Sequence, residues 1–262
     1  MRPEFDVAIV GAGAVGLAVA AALARRGRSV VILEHEAGIA RGTTSRNSQV
    51  LHAGLYYPEG SWKARLCVAG REQLVARCTR LGIPHRLLGK LVVAVEPAEL
   101  PVLERIHELG TANGAPGLAL LDGETVRRLE PAVQAVAALH SPATGILDAH
   151  ALCVSWLAEA EAHDAVLALR HEVVSLESDG TGWRVGVLEP DGGHAALACA
   201  AVVNAAGLAS DRIAALAGID IDACGWRQHP CKGDWFAVSP AHRFASSVWC
   251  TRCRAAPVSA CT

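Results

Sequence analysis

A glycine-rich segment and one acidic residue near the start of the chain are suited, by type and spacing, to bind a phosphorylated ligand. Gly11, Gly13 and Gly16 form a G-x-G-x-x-G pattern, and Glu34 follows 18 residues after the last glycine. The first glycine permits a tight turn, the second lets a diphosphate approach the main chain, and the third lets helix and strand pack closely. Unpaired amides at the start of a helix favour a dianionic diphosphate. A carboxylate at the spacing of Glu34 accepts hydrogen bonds from a ribose diol, so the pattern predicts a dinucleotide site.

The flanking residues predict the elements that such a turn needs. Residues 6–10 are a short apolar run typical of a strand buried on both faces, and residues 17–26 are alanine-rich and favour a helix. Gly27 is a stop signal for that helix, and residues 29–33 predict a second strand that ends at Glu34. This order is the start of a βαβ unit. An ordinary glycine-rich turn is the alternative, and it leaves the position of Glu34 to chance.

A long polar loop at residues 41–57 follows the second predicted strand. It is rich in short hydroxyl, amide and guanidinium side chains, which supply many hydrogen-bond donors. An NAD-dependent Rossmann enzyme usually continues here with regular βα units, so the loop favours the longer phosphate and ribityl chain of FAD. NAD stays the second choice. A solvated loop before a helix capped at Ser61 is the structural alternative.

Several segments resemble the FAD-dependent oxidoreductases of the D-amino-acid oxidase superfamily, and within them the L-2-hydroxyglutarate dehydrogenase-like group. The resemblance is carried by DVAIVGAGAVGLAVAAAL with Glu34, TTSRNSQVLHAGLYYPEGSWKARLCVAG, GILDAHAL, VVNAAGLASDRIAALAG and CKGDWF. It covers residues 6–238 and is most specific at residues 45–70. It implies an α/β fold in which a Rossmann-like FAD/NAD(P)-binding domain is interleaved with an α+β substrate domain that is incomplete at the C-terminus.

The resemblance also implies which residues bind the flavin nucleotide. In the family, a main-chain group at the position of Val173 contacts the adenine, whereas the pattern at residues 172–174 alone predicts only a core strand. Residues 202–207 predict a strand that ends in small residues, where the main chain can approach a ligand. The residues assigned to the cofactor are Gly11, Gly13, Gly16, Glu34, Thr44, Ser45, Arg46, Asn47, Ser48, Val173, Ala206 and Gly207.

Oxidation of a C–H bond that bears a hydroxyl or an amine needs a base near that group and a cation near the substrate carboxylate, while the flavin does the redox work. His52 is the candidate base near the flavin ring, and a structural loop histidine is the alternative. Lys232, on a predicted strand, is the second candidate catalytic residue, and an exposed surface lysine is the alternative. Further candidates for phosphate or carboxylate binding, or for lining the ring, are Arg46, Lys63, Tyr56 and Tyr57.

The predicted activity is hydride transfer from a small 2-hydroxy acid to FAD, with L-2-hydroxyglutarate as the leading substrate. An amino-acid oxidase of the same superfamily and a non-catalytic nucleotide-binding remnant are the alternatives. The expected partners are a small-molecule substrate and an electron acceptor that the sequence does not identify.

Composition excludes other classes of protein. The chain has 262 residues, of which 52% are hydrophobic and 19% charged, so it is not a disordered chain. Its net charge of −2 disfavours a nucleic-acid binder. The nine cysteines form no zinc framework, which predicts reduced thiols, no metal site and a cytoplasmic location. The uncharged run at residues 7–24 follows acidic residues and contains glycines, so no transmembrane segment is expected, and peripheral membrane contact stays open.

We expect residues 1–80 and 145–222 to form the FAD-binding domain, and residues 81–144 and 223–248 to form a partial substrate domain. Residues 249–262 contain three of the nine cysteines and no periodicity. We interpret them as an aberrant tail produced by a reading-frame shift near Val248. That hypothesis implies that the 262-residue product binds FAD weakly.

Overall fold

The computed structural model describes residues 3–234 and 248–253. The chain folds into two units, each built from two separated stretches. The first unit comprises Met1–Asn47 and Ala149–Pro230, and the second comprises Ser48–Asp148 and Cys231–Thr262. This arrangement differs from the predicted boundaries, because residues 48–80 and 145–148 group with the second unit and residues 223–230 with the first.

Contacts made by the segment after Asn47 explain the difference. The strand Val50–Leu51 pairs with Gly145–Leu147 of the second unit. The side-chain amide of Asn113 also donates hydrogen bonds to the main-chain oxygens of Gly54 and Tyr57, at 3.0 and 2.8 Å. These bonds tie the polar loop to the second unit.

The first unit is built on a six-stranded sheet. In spatial order its strands are β10 (Glu172–Ser178), β11 (Trp183–Leu188), β12 (His194–Asn204), β1 (Phe5–Val10), β2 (Val30–Glu34) and β9 (Val166–Leu169). The four strands from β12 to β9 are parallel, and β10 and β11 continue the sheet in antiparallel fashion. Every residue of β2 is buried, which explains why its sequence is continuously apolar up to Glu34.

Three α-helices belong to the first unit: α1 (Ala14–Ala24), α5 (Ala149–Glu161) and α6 (Ser210–Leu216). Ala20 and Ala24 of α1 share one core with Cys153 and Ala160 of α5, and these small side chains let the two helices pack closely. Gly27, with φ of +76°, follows the end of α1 as predicted.

Within the described residues, the second unit contains two smaller sheets and three α-helices. The four-stranded sheet has the order β13 (Trp249–Arg252), β5 (Lys90–Ala94), β7 (Ala137–Ser141) and β6 (Ala119–Asp122). The three-stranded sheet has the order β3 (Val50–Leu51), β8 (Gly145–Leu147) and β4 (His85–Arg86). The helices are α2 (Trp62–Leu81), α3 (Leu100–Ala112) and α4 (Gly123–Leu129).

The start of the predicted aberrant tail is part of this unit's sheet. β13 pairs in parallel with β5, with Cys250 opposite Leu91. Arg252 forms an ion pair with Glu99 at 2.8 Å, and Cys253, which is 2% exposed, lies in a core with Leu103. Residues 249–253 are therefore ordered parts of the unit, and the rest of the predicted tail, residues 254–262, lies outside the described residues.

Several local predictions are confirmed and others are corrected. The Ser61 hydroxyl caps α2 by accepting a hydrogen bond from the amide of Ala64 at 3.2 Å, as expected. Ser210 is the first residue of α6, and its hydroxyl accepts a hydrogen bond from the side-chain amide of Gln228 at 3.3 Å. Residues 231–234 form no strand, and the remainder of the predicted strand, residues 235 and 236, lies outside the described residues.

The uncharged run at residues 7–24 divides between β1, the glycine turn and α1. Across the part of the chain that the structure describes, no helix combines the length and apolar character needed to cross a bilayer.

Candidate functional site

The turn between β1 and α1 can be formed only by small residues. Gly11 has φ of +106°, in the left-handed region, and a Cβ atom there would lie 2.5 Å from the main-chain oxygen of Ala205. A Cβ atom on Gly16 would overlap the main-chain oxygen of Gly11. The tasks predicted for these two glycines, a tight turn and close packing, therefore match the structure.

Gly13 and Thr44 lie together at the start of α1. The amide of Ala14 donates a hydrogen bond to Oγ1 of Thr44 at 3.1 Å. A Cβ atom on Gly13 would lie 3.2 Å from the same oxygen. The Thr44 hydroxyl keeps its own hydrogen, which it can donate to a ligand above the turn.

Glu34 is fixed at the mouth of the turn. Its Oε2 accepts a hydrogen bond from the amide of Ala12 at 2.7 Å, and its Oε1 accepts one from the amide of Glu36 at 2.8 Å. Nδ1 of His35 lies 3.0 Å from Oε1. The residue is 7% exposed, so its carboxylate is held in one orientation. A carboxylate offers about four acceptor positions, which leaves capacity for a ribose hydroxyl.

A cavity of about 470 Å³ opens beside this turn, within the first unit. It lies at the carboxyl ends of the parallel strands β1, β2 and β12, where α/β sheets bind ligands. Seven of the predicted cofactor residues line it: Gly11, Gly13, Glu34, Thr44, Val173, Ala206 and Gly207.

The other predicted cofactor residues do not line the cavity. Gly16 lies behind the turn, where it packs on Gly11. Ser45, Arg46 and Asn47 instead hold the loop that carries Thr44. The Ser45 hydroxyl and Arg46 guanidinium donate to the main-chain oxygen of Arg41 at 3.1 and 2.6 Å.

The side-chain amide of Asn47 donates hydrogen bonds to the main-chain oxygens of Thr43 and Thr44, at 3.0 and 2.8 Å. It thereby holds the short 3-10 helix Thr43–Ser45 in place. Ser48 belongs to the second unit. The structure therefore gives residues 45–47 an indirect part in the site, since their polar groups bond the main chain of the loop itself.

Sequence reasoning missed five charged or titratable residues that line the cavity. These residues are His35, Arg41, His171, Glu172 and Arg212. Arg212, on α6, forms an ion pair with Glu172 at the first residue of β10. Arg212 could have been predicted, because α6 follows the end of the central parallel strand β12 and ligands of α/β sheets bind at the carboxyl ends of such strands. The two arginines supply cations suited to a diphosphate.

A second, smaller recess lies within the second unit and is lined by His52, Tyr56, Tyr57, Lys90 and Thr144, among others. The Nζ of Lys90 lies 4.7 Å from the centroid of the Tyr56 ring, and that of Lys63 lies 4.8 Å from the centroid of the Tyr57 ring. Desolvation, followed by repulsion from Lys90 and then Lys63, lowers the pKa of His52 below its ordinary value of 6.5. This shift favours the neutral imidazole, which is able to accept a proton.

Lys232 does not share that recess. It is 85% exposed on its side chain and forms an ion pair with Asp234 at 2.8 Å. The expectation that a strand presents Lys232 to substrate is corrected, because residues 231–234 are irregular and the ammonium group faces solvent. The described residues also contain no cluster of three or more side chains suited to a metal ion.

The family model for FAD dependent oxidoreductases, called DAO, matches residues 6–257. The chain belongs to this family. The match reaches into the segment predicted to be aberrant, in agreement with the strand β13. Family membership and the α/β fold, both expected from the sequence, are thus confirmed.

The curated relatives of this chain include L-2-hydroxyglutarate dehydrogenases. The chain is 36% identical to the mitochondrial enzyme of Homo sapiens over 248 residues, which cover 90% of this chain and 52% of that protein. It is 48% identical to the mitochondrial enzyme of Arabidopsis thaliana over 154 residues, covering 59% and 32%. The crystal structure of glycine oxidase from Geobacillus kaustophilus aligns with a TM-score of 0.73 and 26% identity, covering 82% of this chain and 59% of that chain. The chain spans about half the length of most curated relatives it matches.

Proposed function

We propose that this protein is an FAD-dependent dehydrogenase of a small 2-hydroxy acid, with L-2-hydroxyglutarate as the leading substrate. The observation that carries the proposal is the position of Glu34, whose carboxylate is bonded to the amide of Ala12 at the mouth of the glycine turn. The identity to L-2-hydroxyglutarate dehydrogenases supports the substrate class.

The cavity of the first unit fits the adenosine diphosphate half of FAD. Its volume of about 470 Å³ is in the range of small-ligand sites. The turn at Gly11 and Gly13 and the start of α1 would hold the diphosphate, with Arg41 and Arg212 as cations nearby. Glu34 would hold the ribose, and the main chain at Val173 would face the adenine.

When bound, FAD supplies the acceptor for the hydride that leaves C2 of the substrate. His52 takes the hydroxyl proton as the C–O bond becomes a carbonyl, so the substrate loses two electrons and two hydrogens in total. A neutral imidazole is required for this step. Desolvation, followed by the positive charges of Lys90 and Lys63, favours the neutral form by lowering the pKa of His52.

An amino-acid oxidase is the second candidate, because the fold also aligns with a glycine oxidase at 26% identity. The two candidates differ in the group that loses the proton, a hydroxyl in one and an amine in the other.

The test is anaerobic reduction of the FAD-loaded protein by a substrate panel. L-2-hydroxyglutarate, its D enantiomer, L-lactate, glycine and L-glutamate are added separately, and loss of the oxidised flavin absorbance is recorded. We expect L-2-hydroxyglutarate to reduce the flavin fastest. Reduction by an amino acid but by no hydroxy acid would favour the oxidase, and no reduction by any member of the panel would favour the non-catalytic remnant.

A further inference from the structure

We infer that Lys90 and Lys63, each placed over a tyrosine ring beside His52, form a two-cation site that selects a dicarboxylate as substrate. Lys90 binds one carboxylate and Lys63 the other. The inference rests on the proposed function only in treating the bound dicarboxylate as a substrate. Its binding test does not require turnover.

Lys90 is a buried cation without an anionic partner. It begins β5, a strand in which all five residues are buried, and it is 6% exposed. No carboxylate of residues 3–234 or 248–253 forms an ion pair with its Nζ, which lies over the Tyr56 ring. Lysine is almost never this deeply buried unless it is paired, because removing its charge from water is costly. An anion from outside the chain would supply the missing partner.

The two tyrosines hold the two lysines in the same way. The Tyr56 ring lies under Lys90 and the next ring, Tyr57, lies under Lys63, with separations of 4.7 and 4.8 Å to the ring centroids. A cation over an aromatic face is attracted to it and held there, but the ring does not neutralise the charge. Consecutive tyrosines therefore present two ordered positive charges from β5 and the start of α2.

The positive charges of Lys90 and Lys63 both act on the imidazole of His52. Lys90 and Lys63 each lower the pKa of its imidazole, in addition to desolvation, and no carboxylate opposes them. The other titratable groups at this place include Tyr56, Tyr57 and Cys67, whose thiol donates to the main-chain oxygen of His52 at 3.6 Å. Arg71 also acts on the Cys67 thiol. His52 thus lies beside two lysine charges, and a monocarboxylate would leave one lysine without an anion.

The recess itself has room for about one water-sized group, with a volume of about 10 Å³. It admits a carboxylate oxygen and not a whole substrate. The second lysine, Lys63, is exposed at the start of α2 and is available to the other end of an elongated dianion. The geometry therefore favours a ligand held by its two carboxylates.

The test is calorimetric binding of glutarate and butyrate to the full chain. Glutarate has two carboxylates, butyrate has one, and neither carries the oxidisable hydroxyl. The variants are Lys90→Met, Lys90→Gln and Lys63→Met, with Arg105→Met as a matched control that removes one exposed cation of the same unit. Circular dichroism verifies the fold of each variant.

We expect the wild-type protein to bind glutarate at least about tenfold more tightly than butyrate, and each lysine variant to lose at least about tenfold in glutarate affinity. Arg105→Met should bind within about twofold of wild type. Lys90→Met should also raise the pKa of His52, seen by NMR titration with His52→Gln identifying the signal. Equal binding of the two acids, or glutarate affinity unchanged in folded Lys90→Met and Lys90→Gln, would overturn the inference.

Turnover separates this inference from the proposed function. Lysine-dependent glutarate binding without oxidation of L-2-hydroxyglutarate would support the dicarboxylate site and contradict the dehydrogenase. Oxidation with an unchanged preference between 2-hydroxyglutarate and 2-hydroxybutyrate in Lys90→Met would support the dehydrogenase and overturn the site.

Discussion

Two side chains, Glu34 and His52, connect the local chemistry of the chain to its function. Glu34 is bonded to the amides of Ala12 and Glu36, so it has its ligand-binding orientation before any nucleotide is present. Such preorganisation reduces the entropy that binding must overcome. For His52 the surroundings determine the charge state. Desolvation and the charges of Lys90 and Lys63 lower its pKa and so disfavour its charged form.

The pH dependence of activity tests the role of His52. Its pKa is lowered from the ordinary value of 6.5, so the neutral base is favoured at pH 7 and is lost as the pH falls through the lowered value. We expect the acidic limb of kcat/KM to lie below pH 6.5. In His52→Gln, kcat should fall by about 10² to 10⁴ and the acidic limb should disappear.

His163→Gln is the control, because His163 is exposed and follows α5 in the first unit. It should leave both the rate and the pH profile unchanged. A His52→Gln enzyme with a wild-type rate, or with the same acidic limb, would show that another group takes the proton.

At the scale of the element, Gly16 determines whether α1 can pack on the turn. A Cβ atom in Gly16→Ala would overlap the main-chain oxygen of Gly11, which is rigid backbone and not a flexible side chain. We expect the free energy of unfolding to fall by about 1–3 kcal/mol and FAD binding to be lost. Denaturant unfolding and flavin fluorescence titration measure the two effects.

Gly70→Ala is the matched control for that substitution. Gly70 lies inside α2, and apart from its chain neighbours and the adjacent helix backbone no atom lies within 4 Å of the position its Cβ would take. Alanine should stabilise the helix by about 0.5–1 kcal/mol. Equal effects of the two substitutions would contradict the packing role of Gly16.

The start of α2 provides another element-scale prediction. Ser61 caps the helix through the amide of Ala64, so Ser61→Ala should lower the free energy of unfolding by about 1 kcal/mol. Ser61→Asp retains an acceptor and should restore most of that stability. Denaturant curves with equal midpoints for Ser61→Ala and wild type would contradict the cap.

The elements that could be predicted from sequence are those with local signals. The order β1, turn, α1 and β2 follows from apolar runs and glycine spacing, which fix short-range conformation. The pairing of β3 with β8 could not be predicted, because it joins residues about 95 positions apart in the chain. The hydrogen bonds from the Asn47 side chain to its own loop could not be predicted from sequence either, since the same side chain is equally suited to bind a phosphate.

The same distinction applies within the site. Lys90 precedes an apolar run, and a lysine at the end of a strand is usually exposed, so its burial had no sequence signal. Lys232 shows the converse, because a lysine in a family-like motif proved to face solvent.

At the scale of the whole molecule, the chain passes between its two units more than once, so the stability of the second unit depends on residues distant in sequence. β13 completes one edge of its sheet, and Arg252 binds Glu99 before α3. Cys253 is buried in the core beside that sheet.

A chain ended after Val248 tests the contribution of β13. Removal of the strand exposes the edge of β5 and empties the position of Cys253. We therefore expect the free energy of unfolding to fall by about 1–3 kcal/mol, with a lower Tm. Unchanged stability would instead agree with the hypothesis that residues after Val248 are an unrelated tail, which resequencing of the DNA addresses directly.

The central claim is that the glycine turn and Glu34 bind the adenosine diphosphate half of FAD. Its most direct test is titration of the full chain with FAD, followed by displacement with ADP, for wild type, Glu34→Gln and Glu34→Ala, with exposed Glu161→Ala as control. We predict saturable FAD binding that ADP displaces, at least about tenfold weaker binding of both ligands in Glu34→Ala, and wild-type affinity in the control. Absence of FAD binding, failure of ADP to compete, or an unchanged Kd in Glu34→Ala would contradict the claim.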